Sequence, residues 1–175
     1  MKFTPQRIAR LALMVAVVAV TASIEIPLGP VPFTLQTFFI AFTGALLGPV
    51  DGFFAMIVYL LLGAVGVPVF AGMSSGVAKF VGPTGGYLFS YPFFCALCGF
   101  FNKKEDKLAL HILMGVLGIL LCELMGTIQL KFVNGLEWSV AFVYGFGWFV
   151  VKDLICGVIA VILARQIRPR IKALQ

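Results

Sequence analysis

The sequence predicts an all-α integral membrane protein, a compact bundle of six transmembrane helices forming one domain over residues 1–175. Three observations carry this. Hydrophobic residues make up 61% of the chain and charged residues only 11%, where soluble domains carry roughly a quarter charged residues. Apolar runs recur along the whole length, at about 8–26, 34–48, 53–70, 86–101, 108–130 and 139–164. The Lys and Arg residues gather beside alternate ends of those runs, as the positive-inside rule requires. Too little polar sequence remains for a soluble catalytic or nucleotide-binding domain, so any energy source lies in another protein.

The first run follows Lys2, Arg7 and Arg10 and holds Val20, Thr21 and Ala22 before Ser23, a small-residue pattern that also suits signal-peptide cleavage. Because the downstream sequence is itself membrane-embedded, the run reads as a retained first helix. Ala12 and Ala16, followed by Ala19 and Ser23, have small-xxx-small spacing. Such a strip either packs within the chain or docks a partner membrane protein. IPLGPVP at 26–32 then forms a proline-broken extended loop with Glu25 at its entrance. The run 34–48 is shorter than the ~20 residues of an upright span, which calls for local thinning or a dipping loop. GPVDG at 48–52 reads as a tight turn, and NKKEDK at 102–107 as an aqueous loop. Residues 131–138 form a short turn before the sixth run.

Six spans put both termini on one side. Ten Lys and Arg fall on that side (Lys2, Arg7, Arg10, Lys103, Lys104, Lys107, Arg165, Arg168, Arg170 and Lys172), against Lys79 and Lys131 opposite. Both termini are therefore expected in the cytoplasm, with the multi-pass chain in the cell membrane and lipid around it. The net charge of +6 is explained by topology, and no nucleic-acid partner is expected. Cys95, Cys98, Cys122 and Cys156 all fall in apolar runs, so no disulfide framework is expected. The Cys95-x-x-Cys98 pair reads as packing, with no metal or other cofactor implied.

The segment 66–88, GVPVFAGMSSGVAKFVGPTGGYL, is a breaker-rich interruption that lipid cannot accept, because its backbone polar groups need water or protein partners. On this topology it faces outward beside the proline loop, and it reads as one wall of a small-molecule site. Thr84 is placed to cap the fourth helix, leaving first-turn N–H groups at Gly85 and Gly86 for an anionic group. Tyr87 adds a ring and a hydroxyl, Ser74 and Ser75 cap the pocket from a flexible loop, and Gln36 points toward the same vestibule. Lys152 and Asp153 are ionisable residues inside the sixth run, which marks an interior site. Adjacent residues diverge by about 100° on a helix, so they are expected to flank a ligand rather than form a simple intrahelical pair. Glu123 reads as a buried carboxyl at a helix interface and His111 as an interfacial residue. A ligand with an amide-like polar head and a carboxylate tail suits these groups. The absence of HExxH, GxSxG and Walker motifs disfavours a membrane enzyme.

At VPFTLQT (31–37, with Thr34 and Gln36), GPVDGFFAMIVYLLLGAVGVPVFAG (48–72) and GPTGGYL (82–88), the sequence resembles the BioY family, the biotin-binding S-components of energy-coupling factor (ECF) transporters. The resemblance covers nearly the whole chain. It implies a six-helix protein that captures biotin in an outward pocket under the loops between spans 1 and 2 and spans 3 and 4. It further implies partners: a transmembrane coupling protein docked on the strip holding Ala12 and Ala16, and two cytoplasmic ATPases that use ATP while the S-component topples to release the vitamin. The family often has an Asp followed three residues later by a Lys, both contributing to biotin binding. Here Asp153 matches, Cys156 stands at the Lys position, and Lys152, expected on a different helical face, replaces the charge only by reaching with its long stem. An S-component or solitary carrier for another vitamin is the alternative within this class.

Overall fold

The computed structural model describes residues 4–26, 31–102 and 107–172. Expectations resting on Lys2, Pro27, Pro30, Lys103 and Lys104, and on the side chains of Arg170 and Lys172, lie outside the described residues.

Helix α1 (Pro5–Ser23) starts where Pro5 presets the first turn and the Thr4 hydroxyl accepts the Arg7 N–H at 3.3 Å. Its inward face is Met14, Val15, Val18 and Ala22, whereas Ala12 and Ala16 are exposed. Ala12 and Ala16 are thus not consumed by packing within the chain, whereas Ala19 farther along the strip packs against the core. Arg7 grips Asp51 through both carboxylate oxygens, with Nε at 2.9 and 3.1 Å and Nη2 closer still, tying α1 to the start of α3.

Where a proline-broken loop was expected, a two-residue hairpin forms at its ends. Strand β1 (Glu25–Ile26) pairs antiparallel with β2 (Phe33–Thr34), Glu25 opposite Thr34 and Ile26 opposite Phe33. Helices α2 (Gln36–Leu47) and α3 (Pro49–Ala64) follow with a single residue between them. The expected five-residue turn at 48–52 is therefore corrected. Gly48, at φ 95°, reverses the chain alone, and Pro49 opens α3 at once, so 50–52 are already helical. Helix α3 ends at Ala64, earlier than the run of apolar residues, where Gly66 turns to φ 104° and Pro68 cannot continue a helix.

A 3-10 turn at Ala71–Met73 and the one-turn helix α4 (Ala78–Val81) lead into α5 (Gly85–Gly99). Helix α6 (Leu108–Asn134) runs past the expected end at 130 and is stopped by Gly135 in the left-handed conformation, φ 63°. The final run is continuous: α7 (Trp138–Ala141), a π-helical stretch at Phe142–Gly147, and α8 (Trp148–Lys172). Helix α1, α6 and the run Trp138–Pro169 are long and apolar enough to cross a membrane, and α2 and α3 are shorter apolar helices.

Helix α5 sits at the centre, packed on α2, α3 and α6. Close approach explains its glycine-bearing neighbours: a methyl group at Gly44 of α2 would fall on the Cys95 carbonyl, and one at Gly126 of α6 would fall inside the Tyr87 ring. The outer surface is apolar, with Leu117, Leu124, Ile128, Val151, Ile155 and Ile159 exposed, while Thr43, Thr127, Glu123 and Asp153 are buried. That inversion fits a lipid surround. His111, read as an interfacial residue, is wholly buried within the protein, and its Nε2 lies 2.8 Å from the Cys98 carbonyl at the end of α5. Asn102, expected in an aqueous loop, is buried as well, where Arg168 hydrogen-bonds its carbonyl oxygen. Cys95 and Cys98 are buried free thiols within the packed core.

Candidate functional site

The breaker-rich segment is folded back on α3 by its own backbone. Val67 N–H donates to Leu62 C=O at 3.0 Å, Gly76 N–H to Gly63 C=O at 2.7 Å, and Phe70 N–H to Ser74 C=O at 3.0 Å. These bonds answer the demand that buried main-chain polar groups be paired. Gly72 (φ 65°) and Met73 (φ 56°) take left-handed conformations to make the bend. Gly72 also admits the Glu25 carboxylate, which would meet any Cβ added there. The segment and the β1–β2 hairpin thus lean on each other. Farther along, Gln129 of α6 donates its side-chain N–H to both Phe80 C=O (2.7 Å) and Gly82 C=O (2.8 Å), fixing the approach to α5.

From α8, Lys152 reaches the hairpin. Its ammonium donates to the Thr34 carbonyl at 3.0 Å and stands 4.4 Å from the centre of the Phe33 ring. It also lies 2.7 Å from Asp153 Oδ1, an ion-pair contact off the hydrogen-bonding direction. The expectation that the two would not pair is corrected, because the flexible lysine stem folds back across the 100° between them. The expectation that Lys152 lies on a different face from position 156 is corrected too. Residues spaced i and i+4 share a helix face, so Lys152 is one turn from Cys156 on the same side of α8.

At the same residue the Thr34 hydroxyl accepts the Gln36 backbone N–H at 3.3 Å, holding the first turn of α2. The Gln36 side-chain N–H donates to the Tyr59 hydroxyl (2.8 Å), which donates to Val69 C=O (2.8 Å). One polar relay therefore couples α2, α3 and the folded-back segment. Tyr87 packs across Gly126 and donates its hydroxyl to Gly145 C=O at 2.6 Å, inside the π-helical stretch.

These parts enclose a cavity of about 300 Å³, at the small end of the ~300–1,000 Å³ typical of ligand pockets. Among the residues singled out from sequence, Thr34, Gln36, Ser74, Thr84, Tyr87, Lys152 and Asp153 line it. Ser75, Gly85 and Gly86 do not. The two glycines serve packing instead, Gly85 against Phe80 and Gln129 and Gly86 against the Met125 carbonyl. Thr84 is the N-cap residue of α5, yet its side chain makes no capping bond, and the Gly85 N–H is already spent on Gly82 C=O at 3.1 Å. Ser74 donates its hydroxyl to Ala71 C=O at 2.6 Å, so it stabilises the turn at the cavity edge.

Sequence reasoning missed the apolar half of the wall, Phe70, Tyr91 and Phe149, together with Lys79 at the rim and Glu123. Tyr91 had a usable signal, its i, i+4 spacing from Tyr87. Tyr59, the middle of the relay, had only its hydroxyl in an apolar run. Glu123 had none, since its placement beside Asp153 depends on how α6 meets α8.

The family model described as "BioY family" matches residues 1–173. A protein of Pyrococcus horikoshii named "Probable biotin transporter BioY" is 38% identical over 93% of this chain and 96% of its own length. "Biotin transporter BioY" of Thermotoga maritima is 37% identical over the same shares, 93% and 96%. A crystal structure of the S-component for biotin from an ECF-type ABC transporter superposes with a TM-score of 0.86 at 29% identity, covering 96% of this chain and 95% of that one.

Proposed function

The chain belongs to the BioY family, and from that premise we propose that it is the substrate-binding S-component for biotin uptake. The observation that carries this reading is the composition of one enclosed wall: Lys152, Asp153 and Gln36 present polar atoms beside Phe70, Tyr91 and Phe149. Biotin has the matching halves, a cyclic urea with two N–H donors and one carbonyl acceptor, and an apolar sulfur ring carrying a carboxylated chain. Asp153 accepts from the urea, Lys152 donates to its carbonyl, and the aromatic side chains cover the rings. Lys79 and the Gly82–Thr84 rim receive the carboxylate.

In this reading both termini are cytoplasmic, the cavity opens outward, and the protein sits in the cytoplasmic membrane. The chain needs no cofactor of its own. Biotin is handed inward by an ECF module, a transmembrane coupling protein and two ATPases that hydrolyse ATP. The exposed Ala12 and Ala16 form the contact with the coupling protein, since small residues allow close helix approach in lipid.

The test is labelled-biotin uptake in cells lacking other biotin transporters, with and without a coupling module. Uptake that requires both components supports the reading. Equal uptake without the module would point to a solitary carrier. Replacing Ala12 and Ala16 with Leu is expected to abolish co-purification with the coupling protein while leaving biotin binding by the detergent-solubilised protein within about twofold, because surface changes away from a site are worth roughly 0.5 kcal/mol or less.

A further inference from the structure

We infer that Glu123 is a further ligand-contacting residue, a hydrogen-bond acceptor that selects a ligand head with two N–H donors; this rests on the biotin reading above and adds to it a second recognition point. Glu123 projects from the middle of α6 into the cavity wall at 2% exposure. Its Oε2 is fully buried and, among the described residues, accepts no N–H or hydroxyl proton, its polar neighbour being the Asp153 carboxyl. A buried acceptor without a donor is a net cost to the fold, so a carboxyl held only for packing is expected to be matched.

Two of the donor-bearing side chains around it are engaged with other groups. Tyr87, a neighbour of Glu123, gives its hydroxyl proton to Gly145 C=O. Lys152 gives one N–H to Thr34 C=O and stands against Asp153. Asp153 lies beside Glu123 and also keeps an oxygen, Oδ1, without a hydrogen bond. On this side of the cavity two neighbouring carboxyls, Glu123 and Asp153, face the ligand space beside the Lys152 ammonium. A cyclic urea brings two N–H donors to them. One urea N–H goes to Asp153 and the second to Glu123, with the carbonyl on Lys152.

A structural role and a recognition role separate in their signatures. Removing a matched structural carboxyl lowers stability. Removing an unmatched one relieves the ligand-free protein while weakening the complex.

The experiment uses the full chain purified in detergent, with Glu123→Gln and Glu123→Leu, and measures Tm without ligand and Kd for biotin and for biotin methylated at each urea nitrogen in turn. Expected is a ligand-free Tm equal to or above that of the unmodified protein, with biotin affinity lowered by about tenfold to a hundredfold in Glu123→Leu and less in Glu123→Gln, whose amide oxygen still accepts. Methylation of one particular nitrogen should weaken binding to the unmodified protein and have little further effect in Glu123→Leu. Unchanged biotin affinity in Glu123→Leu, a Tm loss in Glu123→Gln, or a methylation penalty that persists undiminished at both nitrogens in Glu123→Leu would overturn the inference while leaving the biotin reading standing. No saturable biotin binding by the unmodified protein would overturn both.

Discussion

At Lys152 one ammonium serves three neighbours, the Thr34 carbonyl, the Phe33 ring and the Asp153 carboxylate. Its loss unfastens the β1–β2 hairpin and leaves Asp153 buried without its cation. Lys152→Ala is accordingly expected to lower biotin affinity at least tenfold, measured by equilibrium binding, and unchanged affinity would count against a role for this lysine. Lys152→Arg keeps the charge but replaces a point charge by a planar fork, and only partial recovery is expected. Tyr59 is tested separately. Tyr59→Phe breaks the Gln36–Tyr59–Val69 relay at both ends and should reduce stability by about 1–3 kcal/mol, read as a drop in Tm. At this scale the sequence was informative wherever a polar residue stood alone in an apolar run. Gln36 and the Lys152–Asp153 pair stood out for that reason, Tyr87 came from the breaker-rich segment and Thr34 from the VPFTLQT block, and all five line one cavity. Glu123 stood out equally and was assigned to structure, because only the meeting of α6 and α8 shows that its oxygen lacks a partner.

The elements divide into membrane helices and the segments that hold them in register. Gly48 makes the whole corner between α2 and α3 at φ 95°, with the Asn102 side chain 3.1 Å from where a Cβ would stand. Gly48→Ala should therefore cost about 1–2 kcal/mol from backbone strain alone, measurable as reduced thermal stability in detergent. The π-helical stretch has a related function: it places the Gly145 carbonyl under the Tyr87 hydroxyl. Gly126→Ala, which drives a methyl into the Tyr87 ring, is expected to destabilise by about 1–3 kcal/mol and to weaken ligand binding through the displaced ring. Helix existence was legible from apolar runs, but helix ends were not. The α2–α3 corner shrank to one residue because glycine followed by proline both reverses the chain and starts a helix. Gly85 and Gly86 were singled out for first-turn N–H groups at a helix start; in the fold they also admit the close approach of Phe80, Gln129 and Met125, which a single sequence does not display.

Over the whole molecule, the exposed apolar helix faces and the buried carboxyls describe a protein turned toward lipid with its polarity gathered at one cavity. The positive-inside asymmetry predicts the side on which that cavity opens. Met73, 65% exposed at the bend of the folded-back segment, gives a reporter. In a background freed of native cysteines, Met73→Cys should react with an impermeant maleimide added to intact cells, and Gln6→Cys should react only after permeabilisation. The reverse pattern would invert the topology. Family membership was legible in three sequence blocks spread over 31–88, whereas the apolar wall of Phe70, Tyr91 and Phe149 required the fold, since an aromatic residue in a membrane span carries no mark of what it faces. The central claim is that this chain by itself holds biotin, and equilibrium binding of radiolabelled biotin to the purified protein tests it most directly. The account predicts saturable binding at one site per chain without any ATPase present, displaced by excess biotin and not by other vitamins; no saturable binding, or displacement by an unrelated vitamin as effective as biotin itself, would contradict it.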